Sequence, residues 1–159
     1  MKIAIVGLGG SYSDYIAAKI RSEHFDEVWG INCVGGIIHV DKTIMMDPVS
    51  RFLDSEHAGL HTGIARDFLE KNTKPIITCE MDKKVKHLEP YHLEAVIKEL
   101  NICYFNNTVP YAIAYAIYYG ANQLCLYGLD YTYRKVDMAE AGRAFTEFCC
   151  ALATTIGRK

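Results

Sequence analysis

A glycine run and two aspartates carry most of the chemistry this sequence offers. Gly7-Leu8-Gly9-Gly10-Ser11-Tyr12-Ser13 follows a β-branched run at residues 3–6. A glycine-rich turn ahead of a helix leaves backbone N–H groups at the positive end of the helix dipole, which makes a natural anion site. Glycine lets a phosphate approach the backbone, and Ser11 and Ser13 add hydroxyl donors. The pattern departs from the dinucleotide fingerprint, because Tyr12 stands where Gly-x-Gly-x-x-Gly requires glycine, and it lacks the Gly-Lys-Ser/Thr of a P-loop. Asn32 stands where a dehydrogenase would place its ribose-binding carboxylate, so NAD chemistry is disfavoured. Asp47 and Asp130 each follow an apolar run. If both face one cleft, they could hold a magnesium ion between phosphate oxygens, as a diphosphokinase-like reaction needs. The alternative is that Asp130 caps the following turn and Asp47, before Pro48, makes an ordinary Asx turn.

Other clusters are less specific. His57 and His61 would share one helical face, but no His-Glu-x-x-His pattern or third ligand accompanies them, so no metal site is read there. One of them reaching the cleft as an acid or base is the more natural role. Lys83, Lys84, Lys86 and His87 form a positive patch, either solvated surface or a cover for phosphates. Tyr111, Tyr115, Tyr118 and Tyr119 recur at the spacing of a packing face.

These groups need a scaffold, and the chain alternates short apolar runs with helical patterns. Strands are expected at residues 3–6, 27–32, 43–46, 75–79, 102–105 and 123–127. Helices are expected at 14–23, capped by Ser13, and at 55–71, 110–119 and 139–156. Residues 80–90 read as an exposed loop. Alternation of this kind implies a doubly wound, Rossmann-like, mostly parallel α/β sheet with helices on both faces, here as one domain spanning residues 1–159. Such sheets bind ligands at the carboxyl ends of the strands, near the point where strand order reverses.

Composition narrows the class. The 159 residues are 50% hydrophobic, and 17 Lys and Arg against 19 Asp and Glu leave a formal charge of −2, which argues against disorder and against nucleic-acid binding by bulk charge. The six cysteines fall mostly in apolar runs without a Cys-x-x-Cys pair, as reduced core residues of a cytoplasmic protein would. No apolar stretch suggests a membrane span. The last helix carries Ala141, Ala144, Phe145, Phe148, Cys149, Leu152 and Ile156 as a broad apolar stripe, wide enough to suggest a homo-oligomer contact.

The most informative stretch runs from Asn106-Asn107-Thr108-Val109-Pro110-Tyr111 through an Ala-rich helical segment and a glycine stop to Gly128-Leu129-Asp130-Tyr131. It resembles bacterial sialyltransferases of the CMP-sialic acid type and the related 6-hydroxymethylpterin diphosphokinase-like proteins, of bacterial or phage type. The opening Gly-x-Gly-Gly-Ser, the run Glu27 to Asn32 and the segment Thr43 to Pro48 match the order of that superfamily's nucleotide-side motifs. The resemblance implies a nucleotide or nucleotide-sugar ligand. Asn107 and Thr108 would stand where loop hydroxyls meet the nucleotide, Asn32 where an asparagine does, and Tyr111 where the next helix brings an aromatic. Gly128 belongs to the shared strand end, while Tyr131 and Tyr133 would be placed for base or ribose contacts. Val109 replaces the usual glycine, and no histidine follows His92, so the general base of sialyl transfer has no counterpart. Two functions follow: a small transferase using a nucleotide-type donor, or an oligomeric binder that sequesters or senses a nucleotide-derived signal without chemistry.

Overall fold

The structure is a computed structural model and describes residues 1–56, 62–132 and 135–159. Its centre is one six-stranded, all-parallel sheet in the order β5-β4-β3-β2-β1-β6. The strands are β1 (Lys2–Val6), β2 (Glu27–Ile31), β3 (Lys42–Ile44), β4 (Ile76–Thr78), β5 (Leu88–Pro90) and β6 (Gln123–Tyr127). The helices are α1 (Tyr12–Ile20), α2 (Val49–Leu53), α3 (Thr62–Lys71), α4 (Leu93–Leu100), α5 (Thr108–Tyr118) and α6 (Val136–Thr155). A 3₁₀ turn, Asn32–Gly36, leaves β2.

Side chains alternate across a strand, so each face of the sheet has its own core. Ile3, Ile5, Trp29, Ile31, Ile44 and Ile77 point to the face covered by α4, α5 and α6. Ala4, Val6 and Val28 point to the opposite face beneath Tyr15 and Ala18 of α1, and Met45 and Ile76 lie there against Phe68 and Leu69 of α3. The expected doubly wound α/β sheet with helices on both faces is therefore present. Strands β1 to β5 extend the sheet in one direction and β6 returns to the far side of β1. The reversal of strand order falls between β1 and β6, and the crevice rule directs attention to their carboxyl ends.

Several element assignments change. Residues 102–105 are not a strand. The sheet position beyond β4 is taken by Leu88–Pro90, inside the segment expected to be loop, while Ile102 is buried in the core and Phe105 stacks on Tyr111 at 4.3 Å. Between them lies α4, which is absent from the expected elements although its Leu93, Val96, Ile97 and Leu100 repeat at helical spacing. The helix expected over 55–71 is described only as α3, preceded by the separate short α2; His57 and His61 lie outside the described residues. Finally, α1 starts at Tyr12 with Ser11 at its N-cap, so Ser13 sits within its first turn rather than capping it.

Candidate functional site

At the carboxyl edge, the two loops that flank the reversal point bind each other. The Gly7 N–H donates to the Tyr127 carbonyl at 2.8 Å, and the Gly9 N–H to the Gly128 carbonyl at 2.7 Å. The Ser11 N–H donates to Asp130 Oδ2 at 2.8 Å. Ser11 Oγ donates to Asp130 Oδ1 and accepts from the Gly128 N–H at 2.9 Å. Residues 119 positions apart thus make one clasp.

Glycine is required on both sides of this clasp. Gly128 has φ +65°, and a Cβ there would run into the Gly7 carbonyl. A Cβ on Gly9 would strike Asp130 Oδ2 and come within 2.8 Å of the Gly128 carbonyl. The close approach that the glycines of the β1 loop permit is made by the protein's own carboxylate. Asp130 stands at the helix N-terminus, where the dipole favours an anion. Tyr12 N–H turns back to the Gly9 carbonyl and Ser13 Oγ donates to the Gly10 carbonyl at 3.3 Å. Among the described residues this leaves the Leu8 and Gly10 N–H groups as the loop's uncommitted backbone donors.

Asn32 is different. It closes β2 in the left-handed region, φ 54°, which asparagine tolerates better than most residues. Its Oδ1 is buried and has no hydrogen-bond partner. It lies one strand from the reversal point, at the same edge as the clasp.

Across the sheet, Asn107 caps α5. Its Oδ1 accepts from the Val109 N–H at 3.0 Å and from the Tyr131 hydroxyl at 3.0 Å, and its Nδ2 donates to Asn106 Oδ1. The Tyr131 hydroxyl also meets Thr146 Oγ1, and Asn106 Nδ2 donates to the Ala141 carbonyl at 2.7 Å. Gly142 makes room for this arrangement, since a Cβ there would stand 2.6 Å from the Tyr131 ring. Thr108 is buried in the first turn of α5. Tyr111 packs between Phe105 and Tyr91, its carbonyl accepting from the Tyr91 hydroxyl at 3.0 Å. Burial pushes both phenols up, Tyr91 furthest, so they remain neutral. Asn107, Tyr131 and Tyr111 are thus engaged within the protein; Gly142 and Thr146, which hold Tyr131, carry no signal in the sequence. Tyr133 lies outside the described residues.

The two aspartates are not brought together. Asp47 pairs with Arg51 at 2.7 Å beyond β3, whereas Asp130 belongs to the clasp beyond β6. With β2 and β1 between them, their strands are about 14 Å apart. Carboxylates sharing a magnesium ion would each lie about 2 Å from it. Among the described residues no three His, Cys, Asp or Glu side chains cluster to hold a metal, and no helix is long and apolar enough to cross a membrane. In the positive patch, Lys84 pairs with Asp54 at 2.7 Å.

Comparison of the chain with protein-family models, curated proteins and solved structures finds no match.

Proposed function

We propose that the protein binds a nucleotide-derived small molecule at the carboxyl edge of the sheet, over the ends of β1, β2 and β6, and acts there as a binder. The observation that carries this reading is Asn32 Oδ1, a buried acceptor without a partner at the crevice end of β2. An unsatisfied buried acceptor costs about 1–3 kcal/mol, and a nucleobase amine or a ribose hydroxyl would relieve that cost. Asp130 fits the same preference: its carboxylate is exposed and retains accepting capacity beyond its two bonds to Ser11. A ligand phosphate would have the Gly10 N–H at the margin of the loop.

A transferase using a nucleotide-sugar donor is the second reading, favoured by the fixed, exposed Asp130 at the reversal point. Magnesium-bridged transfer through Asp47 and Asp130 is disfavoured by the strands that separate them. The binder reading includes self-association. Phe148 is 48% exposed, stacks on Phe145 at 5.4 Å, and opens with Tyr104 and Ala144 onto an apolar hollow on α6.

The test is calorimetric titration with a panel of nucleoside monophosphates and nucleotide sugars, followed by Asn32→Gly, which removes the acceptor and keeps the left-handed backbone accessible. At least one compound is expected to bind, and the variant should bind it about fivefold more weakly, the worth of one hydrogen bond. Absence of binding across the panel, or unchanged affinity in a folded variant, overturns the proposal. Product formed from a bound nucleotide sugar selects the transferase.

A further inference from the structure

A cavity opens beside α3, on the face of the sheet opposite α5 and towards its amino edge. It lies between the segment that leads from the 3₁₀ turn to β3, the carboxyl half of α3 and the turn before β4. Its volume is about 430 Å³, within the range of small-molecule sites.

The apolar part of its lining includes the Phe68 ring, Ile38 and Ile64. Gly35 shapes it, because a Cβ there would stand 2.7 Å from the Phe68 ring; only glycine lets the turn lie flat on that aromatic. Behind the same glycine, Thr43 is fully buried with its hydroxyl unpartnered, 3.0 Å from that Cβ position. The rim carries Asp67, Lys71 and Lys74. Lys71 is paired with Asp67 at 3.2 Å, and Asn72 holds the Lys74 backbone from both its N–H and its carbonyl, while the Lys74 ammonium and the His39 ring have no hydrogen-bond or ion-pair partner among the described residues. The Lys74 ammonium is thus left unmatched beside Ile38 and Ile64, with the His39 ring able to add a hydrogen-bond donor.

We infer that this cavity is a binding site for a small organic anion with an apolar body, a carboxylate or phosphate ester whose ring or branched chain lies against Ile38 and Ile64 and whose charge meets Lys74. The α3 carboxyl terminus, where helix carbonyls disfavour anions, lies nearby. The charged group therefore belongs at the Lys74 and His39 side of the rim and not over the helix end. None of its lining residues belongs to the loops at the carboxyl ends of β1 and β6, and a ligand there would be a second ligand, distinct from the nucleotide-derived molecule.

The probe pair is benzoate and benzamide, matched in shape and differing in charge. Amide NMR titration to about 20 mM in a chloride buffer should move the Gly35, Gly36, His39 and Thr73 resonances saturably with benzoate, and benzamide should bind about threefold to fivefold more weakly, as one exposed charge pair is worth. Benzoate at pH 7 and phenyl phosphate in parallel arms distinguish a carboxylate from a phosphate ester. Lys74→Gln, at an exposed position, should remove the advantage of benzoate over benzamide without changing benzamide binding. Equal affinity of the two probes, shifts confined to Asn32, Ser11 and Asp130, or linear shifts that never saturate each overturn the inference.

Discussion

Replacing Asp130 by alanine tests whether the β1 loop is satisfied by the protein's own carboxylate. The substitution removes both oxygens that accept from Ser11 and leaves the Ser11 N–H facing water at the start of α1. Hydrogen bonds to a charged group are worth about 1.5–3 kcal/mol when sheltered, and loss of a helix cap costs about 0.5–2 kcal/mol. Asp130 is exposed and water replaces part of what is lost, so the expected destabilisation is about 1–2 kcal/mol, or about 2–8 °C in Tm for a chain of this size. Urea denaturation should show a lower midpoint at unchanged slope. A double-mutant cycle with Ser11→Ala should give a coupling of about 0.5–1 kcal/mol, reporting the bond between the two side chains. Ligand binding supplies the opposite sign. With a negative charge gone and the Ser11 N–H released, pyrophosphate should bind the variant about threefold more tightly than the unmodified protein. An unchanged urea midpoint with additive mutations would refute the clasp. Loss of pyrophosphate binding in the variant would refute self-satisfaction of the loop and restore Asp130 as a group that works through a cation.

Three further outcomes follow from the geometry. Gly142→Ala places a methyl 2.6 Å from the Tyr131 ring and should cost about 1–3 kcal/mol by urea denaturation, a penalty that largely disappears in a Tyr131→Ala background. Burial pushes the Cys149 thiol up to about 12 and also raises Tyr91, so both stay neutral in the folded chain. A raised folded-state pKa gives stability that is complete below the unfolded value and is lost as pH climbs towards the folded one. Urea midpoints should therefore fall above about pH 9, and Cys149→Ala should show a shallower alkaline decline. Phe148→Glu, on the exposed part of α6, should convert any oligomer to a smaller particle in light scattering without loss of helical signal; a monomer mass for the unmodified protein at about 50 μM rejects association.

The sheet was legible because its strands are short, fully buried runs such as Ile3-Ala4-Ile5-Val6, in which both side-chain directions meet apolar neighbours. Where local preference and tertiary position conflict, the pattern misleads. Ile102-Cys103-Tyr104-Phe105 has the composition of a strand, yet the sheet position is filled by Leu-Glu-Pro, whose proline and glutamate suit an edge. The site shows the same limit more sharply. A glycine loop before a helix reads as an anion site, and at α1 an anion is indeed held, but it is supplied by Asp130 from 119 residues further on. Nothing in either segment alone announces that pairing; it follows from β6 lying beside β1, a matter of strand order. For the proposed binding at this edge, the clasp changes which ligand chemistry is favoured. A loop with free N–H groups asks for a ligand rich in acceptors, such as a phosphate. A loop largely closed by a carboxylate, at the same edge as the unpartnered Asn32 Oδ1, favours a ligand rich in donors. The discriminating comparison is a ribonucleoside against its 5′-monophosphate: if the edge selects donors, removing the phosphate should change affinity by less than about threefold, whereas removing a ribose hydroxyl or the base amine should weaken binding by about fivefold or more.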